Sequence, residues 1–293
     1  MKKTNNTEAV RRIRGGWKYY NHAIVPRTAP DKNPDVMALE GVDFWKMPEF
    51  KKALFVEYTT NFDCGYDTGW WYCIKEGPYI FDDLKPKRKK NIRRSLRNVA
   101  VRREDIASCL DELYEVYSKA EAGYENSDNE VNETEFRNGY LKMTQRKDQE
   151  LWTGRDVETN KLIGYMLCTV HDYYVETNVA KYEPEYMSLG VSNAINHTIL
   201  EEYINHQGKK YVDSGSRSIN HKTNSMDYKI DTFDYRKVFC KLHLKYRPIF
   251  KVMVILLYPL RNQLLKLDNY TLVHQANAVL AMEEIRREYS INL

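Results

Sequence analysis

The sequence has no Cys-x-x-Cys pair, no strong excess of one charge and no apolar run long enough to cross a bilayer, and each absence removes a class of protein. The five cysteines, Cys64, Cys73, Cys109, Cys168 and Cys240, form an odd set with no histidine at ligand spacing. Neither a disulfide framework nor a zinc module is therefore expected, and the thiols read as reduced and mostly buried. The longest apolar stretch, Val252 to Leu260, is about half of the roughly 20 residues that a spanning helix requires. The opening MKKTNNTEAVRRIRGG carries charge without an apolar centre, unlike a secretory signal, and a cytoplasmic location is expected. There is no Gly-x-Ser-x-Gly elbow, His-Glu-x-x-His helix or nucleotide-binding glycine loop. The seven histidines are scattered, so no metal site is expected.

What is present is an ordinary globular composition: 293 residues, 42% hydrophobic and 29% charged, with a net charge of +4. Such a chain buries one large core or two modest ones, and a partner preference must come from how its charge is distributed. The 23 tyrosines suit either sheet surfaces or a polar-lined groove. Residues 1 to 40 are polar and turn-rich, with Pro26, Pro30 and Pro34, and little regular structure is expected before Ala38. Strands are expected over Leu54 to Tyr58 and Trp70 to Ile74. From Lys85 to Arg97 eight of thirteen residues are Lys or Arg. With Ile92, Leu96 and Val99 at helical spacing, this predicts a basic helix with one thin apolar stripe.

A core-packed helix follows, carrying Ile106, Leu110, Leu113, Tyr114 and Tyr117 on one face. An acidic, mobile loop is expected over Glu121 to Glu135, then a short helix. The segments Glu150 to Trp152, Leu162 to Val170 and Tyr173 to Ala180 read as a strand meander. Ser192 is placed to cap a helix with Ile195, Ile199, Tyr203 and Ile204 inward, ended by Gly208, and Tyr211 to Asp213 reads as a short buried strand. Phe233 to Leu244 suggests a terminal hairpin. A long helix from Ile249 to Leu264 should be kinked by Pro259 and packed through its apolar stripe, with a membrane-surface role as a minor alternative. A last helix carries Leu272, Ala276, Val279, Leu280 and Ile285. The order strand, strand, strand, helix, strand predicts an α/β unit with a mixed sheet.

Two stretches resemble the GNAT-like acyltransferase superfamily, most closely its Fem-type, peptidoglycan-bridge aminoacyltransferase-like branch. One is DDLKPKRKKNIRRSLRN, residues 82 to 98. The other is KLIGYMLCTVHDYYVETNVAKYEPEYMSLGVSNAINHTILEEYINHQGKKYVDSGSRS, residues 161 to 218, continued by SMDYKIDTFDYRKVFCKLHLKYRP, residues 225 to 248. The resemblance implies an α/β (α+β) fold: a GNAT-like mixed sheet flanked by helices and parted at its centre, with a smaller N-terminal portion and C-terminal helices. It implies boundaries of 1–80 for the N-terminal portion, 81–248 for the acyltransferase domain and 249–293 for the C-terminal helices. Members that use coenzyme A hold its pyrophosphate on a glycine-rich loop opening a helix. Here that place reads Ser188, Leu189, Gly190, Val191, Ser192, Asn193, with one glycine. Fem-type enzymes that take aminoacyl-tRNA lack the loop as well.

The implied activity is transfer of an acyl or aminoacyl group to an amine acceptor, in a cell-envelope or polysaccharide precursor. The donor would be acyl-CoA or aminoacyl-tRNA as co-substrate, with no tightly bound cofactor. Asp213, at a strand end, is a candidate to take the amine proton, and equally to cap its turn or pair with Arg217. Tyr228 is a candidate general acid and Lys229 a donor-phosphate contact, against plain packing and a surface charge. Ser188 to Asn193 would line the donor. Arg88, Lys89, Arg93, Arg94 and Arg97 would meet tRNA or another polyanion, or simply face solvent. His197 is expected at a helix rim, and His221 in a polar loop without an assigned role. A catalytically silent GNAT-fold protein that binds a polyanion or partner protein is the competing reading.

Overall fold

The computed structural model describes residues 2–40, 42–123, 131–219 and 224–288. In chain order the regular elements begin with α1 (Lys2–Gly16), β1 (Trp17–Tyr20), β2 (Ala23–Pro26), β3 (Phe55–Thr60), β4 (Trp71–Glu76), α2 (Pro86–Asn98) and β5 (Val99–Glu104). They continue with α3 (Leu110–Ala122), α4 (Glu133–Met143), β6 (Gln149–Asp156), β7 (Leu162–Val170), β8 (Tyr174–Tyr182), α5 (Val191–Leu200) and β9 (Tyr211–Ser216). The last are α6 (Ser225–Phe233), β10 (Arg236–Phe239), β11 (Lys241–Tyr246), α7 (Pro248–Leu257), α8 (Arg261–Leu264) and α9 (Thr271–Glu288). Two compact units result. One holds Met1–Tyr72, Ser216–Thr223 and Lys237–Leu293, the other Cys73–Gly215 and Asn224–Arg236.

The first unit carries a four-stranded sheet in the order β1-β2-β3-β11, antiparallel except for the β2 and β3 pair. The polar N-terminal stretch, expected to be irregular, is helical. Ile13 and Trp17 drop into a cluster with Ile24, Phe44, Phe50 and Val56, with Val10 packed against it. So few buried side chains in a polar segment leave a weak periodic signal, and it is the tertiary contact that stabilises the helix. At the other end, Pro259 does more than kink the expected long helix. It ends α7 in a 3-10 turn over Tyr258–Leu260, because proline lacks the N–H and clashes with the preceding turn.

The second unit is built on the strands β4-β9-β8-β7-β6-β5, consecutive in a mixed sheet. Strands β6, β7 and β8 form the expected antiparallel meander. On one face α3 and α4 bury Leu113, Val116, Tyr117, Phe136 and Tyr140 against Leu151, Tyr165 and Leu167. Of the loop expected over Glu121 to Glu135, residues 124–130 lie outside the described residues, and Asn132 already caps α4 by accepting the Glu135 N–H at 3.0 Å. Against the other face of the sheet packs α5, with Ile195 and Ile199 fully buried and α2 beside it. Strand β5 was not foreseen, because its VAVRRE sequence continues directly from the basic helix. The expected hairpin over Phe233 to Leu244 is not one: Phe233 closes α6, and β10 and β11 belong to different sheets. None of the five cysteines forms a disulfide, and four are buried.

Two glycines let α5 lie close to the sheet. A Cβ on Gly164 would stand 2.7 Å from Tyr182 Cδ1 and 2.8 Å from Val191 Cγ2, and one on Gly154 2.8 Å from the same valine atom. Gly164→Ala should therefore destabilise by about 1–3 kcal/mol through overpacking. Gly139→Ala, within α4 and with nothing within 4 Å of the added carbon, should stabilise by about 0.4–1 kcal/mol. Melting temperatures of the two variants that move in the same direction would contradict this packing.

Candidate functional site

Strands β8 and β9 run parallel and begin in register, with Tyr174 opposite Tyr211, Val175 opposite Val212 and Glu176 opposite Asp213. The pairing stops there, although β8 continues to Tyr182 and β9 to Ser216. At the same level β8 bulges against its other neighbour: Leu167 faces Val179 and Cys168 faces Thr177, which leaves Asn178 as the extra residue. A bulge puts one residue outside the ladder and bends its strand. Asn178 and Ala180 are consequently exposed although β8 lies inside the mixed sheet. The pairing between these two central strands thus ends early, beside the bulge in the strand that leads into α5.

The point where pairing stops is held by Lys229, which α6 projects between the strands. Its Nζ donates to Ser214 Oγ at 2.6 Å on β9 and to Thr177 Oγ1 at 3.1 Å on β8. Thr177 in turn donates to the Asp213 carbonyl at 3.2 Å, where the last pair ends. Lys229 is 7% exposed, and burial holds its ammonium below the usual lysine range. Asp213 is 4% exposed, and its Oδ1 accepts the Gly215 N–H at 2.8 Å. Burial, only partly offset by that N–H, pushes the Asp213 carboxyl up to about 7. The bulged Asn178 is tied back through its Oδ1, which accepts from Thr169 at 2.7 Å, while Gln149 donates to the same threonine hydroxyl at 2.6 Å.

Beyond this point, α5 starts at Val191 with Gly190 as the preceding cap residue, at φ 82°; Ser192 lies in the first turn instead of capping it. Only glycine fits at position 190: a Cβ there would meet Ser95 Oγ at 2.0 Å. This close approach seats α2 on the helix start, and Arg94 Nη2 donates to the Ser188 carbonyl at 3.0 Å. No side chain of the cap residue closes the α5 N-terminus, where the positive end of the helix dipole lies. Val191, the first residue of the helix, is fully buried against the sheet. Tyr228 donates to Asn193 Oδ1 at 2.6 Å and to Ser192 Oγ at 3.2 Å, and burial pushes its hydroxyl up to about 12.

One short helix, α6, thus brings most of the sequence-chosen residues together. Lys229 reaches the strand apex, Tyr228 the α5 start, and Asp231 pairs with Arg88 of α2. The basic helix is partly answered from within, since Lys89 donates to the Asp82 carbonyl at 2.7 Å and Arg93 lies 5.2 Å over the Phe81 ring. Lys87, Lys90 and Arg97 are exposed. Arg217 is apart from Asp213 and donates to the Gly69 carbonyl at 2.6 Å. His197 is half-buried with Nδ1 2.9 Å from the Tyr79 hydroxyl, and burial lowers its pKa. His221 lies outside the described residues. Sequence reasoning missed Thr177, Asn178 and Ser214. Their one signal was a run of polar residues following the apolar starts of two strands.

The proton linkage of Asp213 is measurable. Because its carboxyl is raised to about 7 in the folded chain, the native state binds that proton more tightly than the unfolded chain, where the value is about 4. Its contribution to stability is therefore greatest below about pH 4 and is lost as pH rises through about 7. Asp213→Asn should melt higher than the parent at about pH 8, by on the order of 1–4 kcal/mol, and converge with it near pH 4. A difference that stays constant across this range would show that Asp213 does not titrate there.

No protein-family model matches the chain, and no curated protein matches it in sequence. Solved structures do match. The C-terminal domain (DUF2156) of a candidate lysylphosphatidylglycerol synthetase from Agrobacterium fabrum is similar at TM-score 0.50 and 10% identity, over 86% of this chain and 90% of that one. FemX is similar at TM-score 0.49 and 10% identity over 62% of this chain, which spans only 63% of FemX. L-PGS from Bacillus licheniformis is similar at TM-score 0.47 and 14% identity over 79% of each chain. At such identities the likeness is one of fold alone, and the chain shares the α+β fold of that C-terminal domain.

Proposed function

We propose that the chain transfers an acyl or aminoacyl group from an activated donor to an amine acceptor, with the reacting carbonyl lying in the opening between β8 and β9. The observation that carries this reading is the loss of pairing after Glu176 and Asp213, opposite the Asn178 bulge and leading into the uncapped start of α5. A backbone N–H of the bulged stretch supplies a hydrogen bond to the developing oxyanion. The α5 N-terminus and Arg94 receive the donor's phosphates.

In this reading the amine nitrogen attacks the carbonyl carbon, and its proton passes to the Asp213 carboxylate directly or through a water. A pKa of about 7 suits a base working near neutrality. The bond to the leaving oxygen or sulfur breaks, and the departing oxyanion takes the Tyr228 proton. A hydroxyl raised to about 12 protonates an alkoxide readily but is poorly matched to a thiolate, which favours an ester donor such as aminoacyl-tRNA over a coenzyme A thioester. Lys229 holds the two strands apart by their hydroxyls and acts as a positioning residue.

Transfer to an amine, assayed with charged tRNA and with acyl-coenzyme A at low salt, tests this. Asp213→Asn should lower turnover by about 10²–10⁴-fold. Lys229→Met leaves the partly buried Ser214 and Thr177 hydroxyls without their donor, so it should destabilise by about 1–3 kcal/mol while activity falls. Failure of both donors to bind at low salt would sink the transferase reading.

A second reading, binding of a polyanion without chemistry, is favoured by the exposed cations of α2. Replacing Lys87, Lys90 and Arg97 with glutamate should flatten the salt dependence of tRNA binding, by about 0.7 in log–log slope for each phosphate that is no longer neutralised. Cellular function that is unchanged in Asp213, Tyr228 and Lys229 variants would favour this reading over catalysis.

A further inference from the structure

The segment from α7 to the start of α9 has a composition at odds with its exposure. Helix α7 reads PIFKVMVILL, apolar on every side except for Lys251. A helix apolar all round belongs in a protein core or in lipid. Yet Val254 is its only buried residue, and Ile249, Val252, Met253, Ile255 and Leu256 are 50–78% exposed. Past the 3-10 turn the pattern continues, with Leu265, Leu267, Tyr270 and Leu272 48–81% exposed. The exposed apolar area is on the order of 1,000 Å², well above the few hundred Å² usual for a soluble surface.

The charge pattern selects what covers it. Between Pro248 and Leu267 there are three basic residues and not one acid. Lys251 and Lys266 are exposed, while Arg261 pairs with Glu284 at 2.8 Å. The first acid, Asp268, is engaged by His274 at 3.0 Å and Asn277 at 2.7 Å. A second copy seated on this face by two-fold symmetry would bring its own Lys251 and Lys266 to the same acid-free surface, so like charges would meet unanswered. Anionic headgroups answer them, and lysine stems reach up to such headgroups while apolar neighbours sink below. Ten residues of α7 amount to about 15 Å, half of a bilayer's roughly 30 Å core, so the helix lies in the interface.

We infer that the segment from Pro248 to Leu272 docks the protein on an anionic lipid surface, α7 lying flat with its apolar side chains inserted and Lys251 and Lys266 at headgroup level. This surface belongs to a different unit from the parted strands and stands without the transferase reading.

The test is flotation of the full chain with phosphatidylcholine vesicles and with mixed phosphatidylcholine and phosphatidylglycerol vesicles. Binding should be at least tenfold stronger to the mixed vesicles. Leu256→Glu with Ile249→Glu, both at exposed positions, should abolish it while circular dichroism and melting stay unchanged. Lys251→Gln and Lys266→Gln should each weaken it about fivefold. No flotation with either vesicle, equal binding to both, or a concentration-dependent dimer in ultracentrifugation that Leu256→Glu dissolves would overturn the inference.

Discussion

A buried ammonium at the point where two parallel strands part is the interaction on which the candidate site depends. Lys229 bonds one hydroxyl on each strand, and these bonds replace the ladder that would otherwise close the gap. Burying an unpaired ammonium is strongly unfavourable, so the group persists only where hydrogen bonds and a nearby carboxyl compensate it. Asp213 supplies the carboxyl, and the two groups shift in opposite directions for the same reason, the loss of water.

Around that point the second unit assembles by close approach. Gly190 admits the Ser95 side chain, so the basic helix α2 rests on the start of α5. Gly154 and Gly164 admit Val191, so α5 itself lies close to the sheet. Helix α6 then ties the pieces through Tyr228, Lys229 and Asp231, three side chains within four residues that reach α5, the strands and α2. The start of α5, the basic helix and the point where β8 and β9 stop pairing thereby come to share one region of one unit. The first unit poses the opposite physical problem: α7 to the start of α9 leave apolar surface that packing among the described residues does not remove.

Much of the architecture was legible in order and periodicity. The meander, the basic helix, the inward face of α5 and the short strand at Tyr211 all follow from apolar spacing. Local spacing reports which face of an element is buried. It misled where burial was sparse, as in α1 with Ile13 alone fully buried among the described residues, and where apolar spacing was strong but no described residue covers it, as in α7. The candidate residues Asp213, Tyr228 and Lys229 were selected by resemblance, and no local pattern marked the helix that holds two of them.

The sequence by itself determined most element types of the second unit, β5 and α6 excepted, together with its mixed sheet and the concentration of positive charge before β5, because these depend on neighbours a few residues apart. Only the tertiary structure decided that β8 and β9 separate after one short stretch of pairing, that Lys229 enters the gap, and that α7 stays exposed. Each of these is a relation between segments distant in the chain, set by where backbone hydrogen bonds end and which surfaces find partners.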